Sequence, residues 1–207
     1  MVLRARMLID GGIPVFVAPP SIDGGISGEF DLPRDRAAVV PDPERLTCWR
    51  PSWALCMLTG YGFDGVDVDV KHGANVEQVR EQLEAFEVEV VGEVLTPSGG
   101  AHFYVHSTGI CSSTNRSRGV DFRGRGVDGT MGRFLYLPGT SRPRYGGRGY
   151  EWVRFPELRH LNKRKSLAQR GAQLAFLEYL GSSPRTTTHS ALSLFDRTGL
   201  KDRQSRM

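Results

Sequence analysis

Apolar positions along the chain switch between a spacing of two and a spacing of three to four, the mark of a protein that mixes strands with helices. Period-two stretches run from Ile13 to Val17, Ala54 to Leu58, Val66 to Val70, Val88 to Leu95, Ala101 to His106, Gly119 to Arg123, Phe134 to Leu137 and Tyr150 to Val153. Helical spacing links Val76, Val79, Leu83 and Phe86 behind a capping Asn75, and again Leu167, Leu174, Leu177 and Leu180 near the C-terminus. A short helix is predicted at Asp42-Pro43-Glu44, with Asp as cap and Pro in the first turn, and it must stop before Pro51. Glycine-rich stretches at Thr59 to Gly65 and Thr96 to Gly100 read as turns.

This order implies an α+β protein (α/β in the looser usage): a mixed, largely antiparallel sheet packed by helices, with a small helical C-terminal segment. Residues 1–155 form the main unit and 156–207 the helical segment, whose tail from Ser182 is expected to be loosely ordered. At 207 residues and 39% hydrophobic content, one sizeable core is the expectation. No apolar run is long enough for a bilayer, and MVLRARMLIDGG is too short in apolar residues for a signal peptide, so a cytoplasmic setting is expected. Cys48, Cys56 and Cys111 show neither metal-knuckle spacing nor an even count, which argues for ordinary packing roles.

The net charge of +4 hides an uneven distribution. Between Arg116 and Arg148 there are eight arginines, no lysine and two acids, a stripe suited to a polyanion such as nucleic acid. Arg142, Arg144 and Arg148 lie in its most polar loop and are the candidates for a template contact. The strand around GVDVDVKHG carries the opposite charge. Strand alternation turns Val66, Val68 and Val70 to one face and Asp67 and Asp69 to the other, close enough to share one or two divalent cations, although a half-exposed edge strand would alternate in the same way. His102 and Asp121 extend the polar face onto two further strands. His106 shares a face with His102 but lies about 13 Å along the strand, too far to chelate the same ion. Three carboxylates and a histidine at one sheet surface suit phosphoryl transfer by a two-metal site, and the turn PSGGAH lets backbone approach phosphate closely.

These segments resemble the primase-polymerases of the archaeo-eukaryotic primase superfamily, as carried by phages and plasmids. DVDVKHG is similar to their D-x-D strand, Ser98-Gly99-Gly100-Ala101-His102 to their S-G-G-x-H turn, and Gly119-Val120-Asp121-Phe122-Arg123-Gly124 to their third acidic motif. DPERL, FLYLPGTS and GRGYEWV agree with flanking segments, so that the likeness spans roughly residues 11 to 155. A lysine-containing G-K-x-P segment has no counterpart in APPSIDGGISGEF. The resemblance implies that Asp67, Asp69 and Asp121 bind Mg²⁺ or Mn²⁺ and that Ser98, Gly99, Gly100 and His102 hold a nucleotide triphosphate. Lys71 and Arg123 are read as further phosphate contacts. Alternatives are a plain strand exit for Lys71 and an ion pair with Asp121 for Arg123. The implied activity is template-directed nucleotidyl transfer on single-stranded DNA in phage or plasmid replication, using NTP or dNTP, with a helicase domain or protein as a further partner. The alternatives are a non-catalytic module that binds single-stranded DNA and a metal-dependent nuclease using the same carboxylates.

Overall fold

The computed structural model describes residues 2–22, 29–33, 39–115, 118–126, 133–158 and 167–181. Within them α1 (Val2–Asp10) precedes β1 (Val15–Ala18), β2 (Ala54–Leu58) and β3 (Phe63–Val68), and α2 (Val76–Ala85) leads to β4 (Val90–Leu95) and β5 (Ala101–His106). Then follow β6 (Ser113–Asn115), β7 (Val120–Arg123), β8 (Phe134–Tyr136), β9 (Glu151–Arg154) and α3 (Leu167–Tyr179). The protein is α+β. Where one mixed sheet was expected, the strands form two antiparallel sheets, one of six in the order β6-β7-β3-β5-β4-β9 and one of three in the order β1-β2-β8. The run ALCML explains the split: every residue of β2 is buried, so this strand is apolar on both faces and forms the centre of its own small sheet.

In the larger sheet β3 and β4 run parallel, joined by α2, with β5 inserted antiparallel between them. The connection is thus a crossover around an inserted strand. The α2 start follows from sequence, since the Asn75 side chain accepts a hydrogen bond from the Gln78 amide at 3.0 Å. Val79 and Leu83 then join Val66, Val68, Phe103, Val105, Val120 and Phe122 in one core cluster, to which α3 adds Phe176 and Leu177. The opposite face of the sheet packs on the small sheet through Val94, Tyr104, Leu135, Tyr136 and Tyr150. Gly65 permits this contact, because a Cβ there would lie 2.3 Å from Leu135 Cδ1.

Several elements differ from their sequence signature. β3 begins at Phe63 inside the glycine-punctuated stretch read as a turn, because pairing with both β5 and β7 overrides local preference. It ends at Val68, and Val70 opens a 3-10 turn rather than continuing the strand. The DPERL segment is a 3-10 helix, Pro43–Cys48, with Asp42 capping the Glu44 amide as its sequence suggests. α1 was not anticipated, although Ala5, Leu8 and Ile9 bury one face at helical spacing. β6 was missed as well, since STN carries no apolar alternation. The tail from Ser182 lies outside the described residues.

Gly100 and Gly171 make a paired test. A Cβ on Gly100 would meet the Val68 carbonyl oxygen at 2.1 Å, whereas Gly171 in α3 faces open space. Gly100→Ala should lower stability by about 1–3 kcal/mol through overpacking against backbone. Gly171→Ala should raise it by about 0.5–1 kcal/mol as an exposed helix position. Urea midpoints of the two variants measure both signs.

Candidate functional site

Register places the polar row directly. Asp67 on β3 faces His102 on β5 and Asp121 on β7, and the same row continues to Thr114 on β6 and Val94 on β4. The valines flanking Asp67 hold the row in place. Val66 and Val68 are 1% exposed in the cluster beneath, so the register cannot slip without burying carboxylates. β3 is a central strand, which removes the edge-strand reading of its alternation.

Arg123 stands two residues beyond Asp121 on the same strand face. Its Nη2 donates to Asp67 Oδ2 at 3.0 Å and to Asp121 Oδ2 at 2.7 Å, bridging the two facing carboxylates. His102 Nε2 lies 3.4 Å from the other Asp67 oxygen. Burial alone would raise the Asp67 pKa, but charge and hydrogen bonds from His102 and Arg123 outweigh it and hold the carboxyl well below the usual range. Clustered acids would be expected to repel one another. Here the Arg123 guanidinium ties Asp67 to Asp121.

Asp69 lies just past the end of β3, still extended and bonded through its amide to the Gly119 carbonyl at 2.7 Å. Gly119 has φ +64°, and a Cβ there would meet the Asp69 carbonyl oxygen at 2.7 Å, so this close approach needs glycine. Lys71 Nζ sits 2.8 Å from Asp69 Oδ2 and His72 Nε2 3.7 Å from the same oxygen. Asp69 Oδ1 is buried without a hydrogen-bond partner.

On the other rim, the Thr96 to Gly100 turn closes the β4–β5 hairpin. Thr96 Oγ1 pairs with Ser98 Oγ at 2.9 Å and accepts from the Gly100 amide at 3.0 Å, while Gly99 adopts φ +87°. These groups border a cleft of about 290 Å³ between the two sheets. It brings together Asp67, Asp69, Lys71, Ser98, His102, Arg123, Arg142 and Arg144. Asp121 reaches it through Arg123, and Gly99, Gly100 and Arg148 are not among its lining residues. Arg133, Tyr136, Tyr145 and Tyr150 also line it, and for the tyrosines the sequence alone offers no site signal. Alternation at FLYL and GYEWV locates Tyr136 and Tyr150 on strands or their ends, but only the packing of one sheet on the other turns them toward His102.

The three candidate template arginines separate. Arg142 is 4% exposed. It bonds to Glu29 and Tyr150 Oη, and its guanidinium lies 4.7 Å from the Tyr136 ring centroid. It is a buried strut, placed there because a loop charge found a carboxylate and aromatic faces to cover it. Tyr150 in turn stacks on Tyr136 with centroids 5.5 Å apart and lies 5.4 Å from the His102 ring. Burial raises the Tyr150 pKa despite the opposing pull of Arg142, so its hydroxyl stays protonated. Arg144 is half exposed and pairs with Glu29 at 3.0 Å; Arg148 is exposed.

Among the described residues no three His, Cys, Asp or Glu side chains stand together as a ready cation cage. The donor set nevertheless fits Mg²⁺ or Mn²⁺ in chemistry: three carboxylates supply hard oxygens, and one buried Asp69 oxygen is uncommitted. No protein-family model matches the sequence, and no curated protein matches it.

Two outcomes follow from this wiring. Arg142→Ala should lower stability by about 3 kcal/mol, because it strips buried partners from Glu29 and Tyr150; Arg148→Ala should stay within about 0.5 kcal/mol. Denaturant midpoints separate them. For Asp67 the folded pKa lies below its unfolded value of about 3.9, so its contribution is present above that pH and is lost as pH falls through it toward the folded value. In metal-free buffer Asp67→Asn should therefore be less stable than wild type at neutral pH and lose less stability on acidification below about pH 4. Urea midpoints against pH would show it, and an acid limb as steep as wild type would contradict it.

Proposed function

We propose that the protein is a primase-polymerase that transfers nucleotides to a growing strand on a single-stranded DNA template. One observation carries the reading: Asp67 has Asp121 and His102 as its direct cross-strand neighbours on either side, and Asp67, Asp69, Ser98, His102, Lys71 and Arg123 line one cleft, with Asp121 tied to it through Arg123. The resemblance of the three motifs supports it independently of the geometry.

In this reading Asp67, Asp69 and Asp121 hold one or two divalent cations, which when bound neutralise triphosphate charge and lower the pKa of an attacking 3′-hydroxyl. The chain's own residues do the positioning. His102, packed against Tyr150 and 4% exposed, presents a nearly fixed imidazole to the triphosphate. Ser98 contacts phosphate oxygens at the opposite rim, while the Gly99 and Gly100 amides, both donated to Thr96, shape the turn that holds Ser98 there. Lys71 and Arg123 add charge from the carboxylate side. Arg133, Arg144 and Arg148, all exposed, carry the template strand through its phosphates. A nuclease with the same carboxylates would shorten DNA where this enzyme lengthens it, and a pure binding module would do neither.

The test is incorporation of labelled nucleotides on single-stranded DNA with Mn²⁺ or Mg²⁺. Asp67→Ala, Asp69→Ala and Asp121→Ala should each abolish it while circular dichroism shows a folded chain. A folded variant with near-normal extension would sink the assignment of that carboxylate. Replacing Arg133, Arg144 and Arg148 together by Ala should flatten the slope of log DNA affinity against log salt by roughly 2, at about 0.7 per lost phosphate contact.

A further inference from the structure

We propose that Arg123 is a resident counter-cation, displaced when a divalent metal ion binds Asp67 and Asp121 and thereby released toward nucleotide phosphate. The inference rests on reading those two residues as cation ligands and adds a step that the reading does not contain. A single nitrogen, Nη2, lies within hydrogen-bond distance of one oxygen from each facing carboxylate. It occupies the place between them that a bridging ion would need. The two occupants exclude each other: oxygens coordinated at about 2.1 Å to a dication cannot also hold a guanidinium against it, since the two positive charges would meet in a half-buried site.

The release has somewhere to go. Arg123 lines the cleft with its side chain 26% exposed, and its Nε is buried with no hydrogen-bond partner, so the present position leaves part of the guanidinium unused. A phosphate in the cleft could use the whole fork. Asp67 would not be stripped by the exchange, because His102 stays on its other oxygen. Lys71 on Asp69 repeats the arrangement at the more exposed end of the site. Metal and Arg123 are then linked reciprocally: what strengthens the bridge weakens metal binding by the same factor, and metal frees the residue that holds nucleotide.

The experiment measures Mn²⁺ affinity of the full chain by calorimetry, with wild type, R123A and R123Q, the last keeping size while losing charge. Loss of two charge-assisted hydrogen bonds that compete with the ion should tighten Mn²⁺ binding about tenfold in both variants. Melting in EDTA should show both variants less stable than wild type, and Mn²⁺ should raise their Tm by more than it raises that of wild type. If R123A does not fold, R123Q carries the comparison alone. Mn²⁺ affinity unchanged or weaker in the variants, or no Mn²⁺ binding by any of the three, overturns the exchange. Primer extension by wild type separates this from the functional reading. Extension with unchanged Mn²⁺ affinity retains the polymerase and rejects the exchange; tighter Mn²⁺ binding in the variants without wild-type extension does the reverse.

Discussion

Two aspartates face each other across adjacent antiparallel strands, and the rest of the site is arranged to make that tolerable. Like charges directly opposite on a sheet destabilise the pairing, and Asp67 and Asp121 are only partly exposed. A cation must stand nearby. In this structure Arg123 supplies it from β7 itself, two residues beyond Asp121, and His102 supplies a second hydrogen-bonding partner from β5. The apolar residues flanking each acid, Val66 and Val68 on β3 and Val120 and Phe122 on β7, anchor both strands so firmly in the core that the carboxylates cannot turn away from each other. Repulsion held in place by packing is what gives such a pair affinity for positive charge.

The second wall of the cleft depends on the small sheet. Leu135 enters the space above Gly65, bringing Tyr136 beside Tyr150, and Tyr150 lies on the His102 ring. Arg142 and Glu29 secure Tyr150 from behind. A chain of contacts therefore runs from the loop after β1 to the imidazole without using an exposed residue. This explains why one arginine of a polar, glycine-rich loop is buried while its neighbours Arg144 and Arg148 remain outside.

Much of this was legible from sequence, for identifiable reasons. Ala54 to Leu58 and Ala101 to His106 match their strands because apolar content and alternation are strong and both are central in their sheets. Asn75 and Asp42 are found at their caps because capping is a local interaction. The convergence of Asp67, His102 and Asp121 was anticipated through alternation together with the motif resemblance. What escaped was tertiary. The division into two sheets, the entry of β3 at Phe63, the burial of Arg142 and the turning of Tyr136 and Tyr150 into the cleft all follow from long-range partners that no window of sequence contains. The relation of Arg123 to both acids was half visible: spacing put it on the face of Asp121, but only the register with β3 brings Asp67 to the same nitrogen.

Rigid and adjustable parts of the site divide along chemical lines. Asp67, Asp121 and His102 are fixed by strand backbone, short side chains and buried neighbours, so their mutual geometry is set when the sheet forms. Lys71, Arg123, Arg133 and Arg144 are long, and each has at least part of its side chain in solvent. Short acids on strands suit a ligand whose coordination distances tolerate little error. Long cations suit one that arrives, reacts and leaves, because each can follow a phosphate through several positions at modest cost in rotamer freedom. On the proposed reading, a cleft built this way suits a polyanion that moves past a fixed cation site. Here the two parts meet at Arg123, the long cation that, among the described residues, bridges the fixed carboxylates.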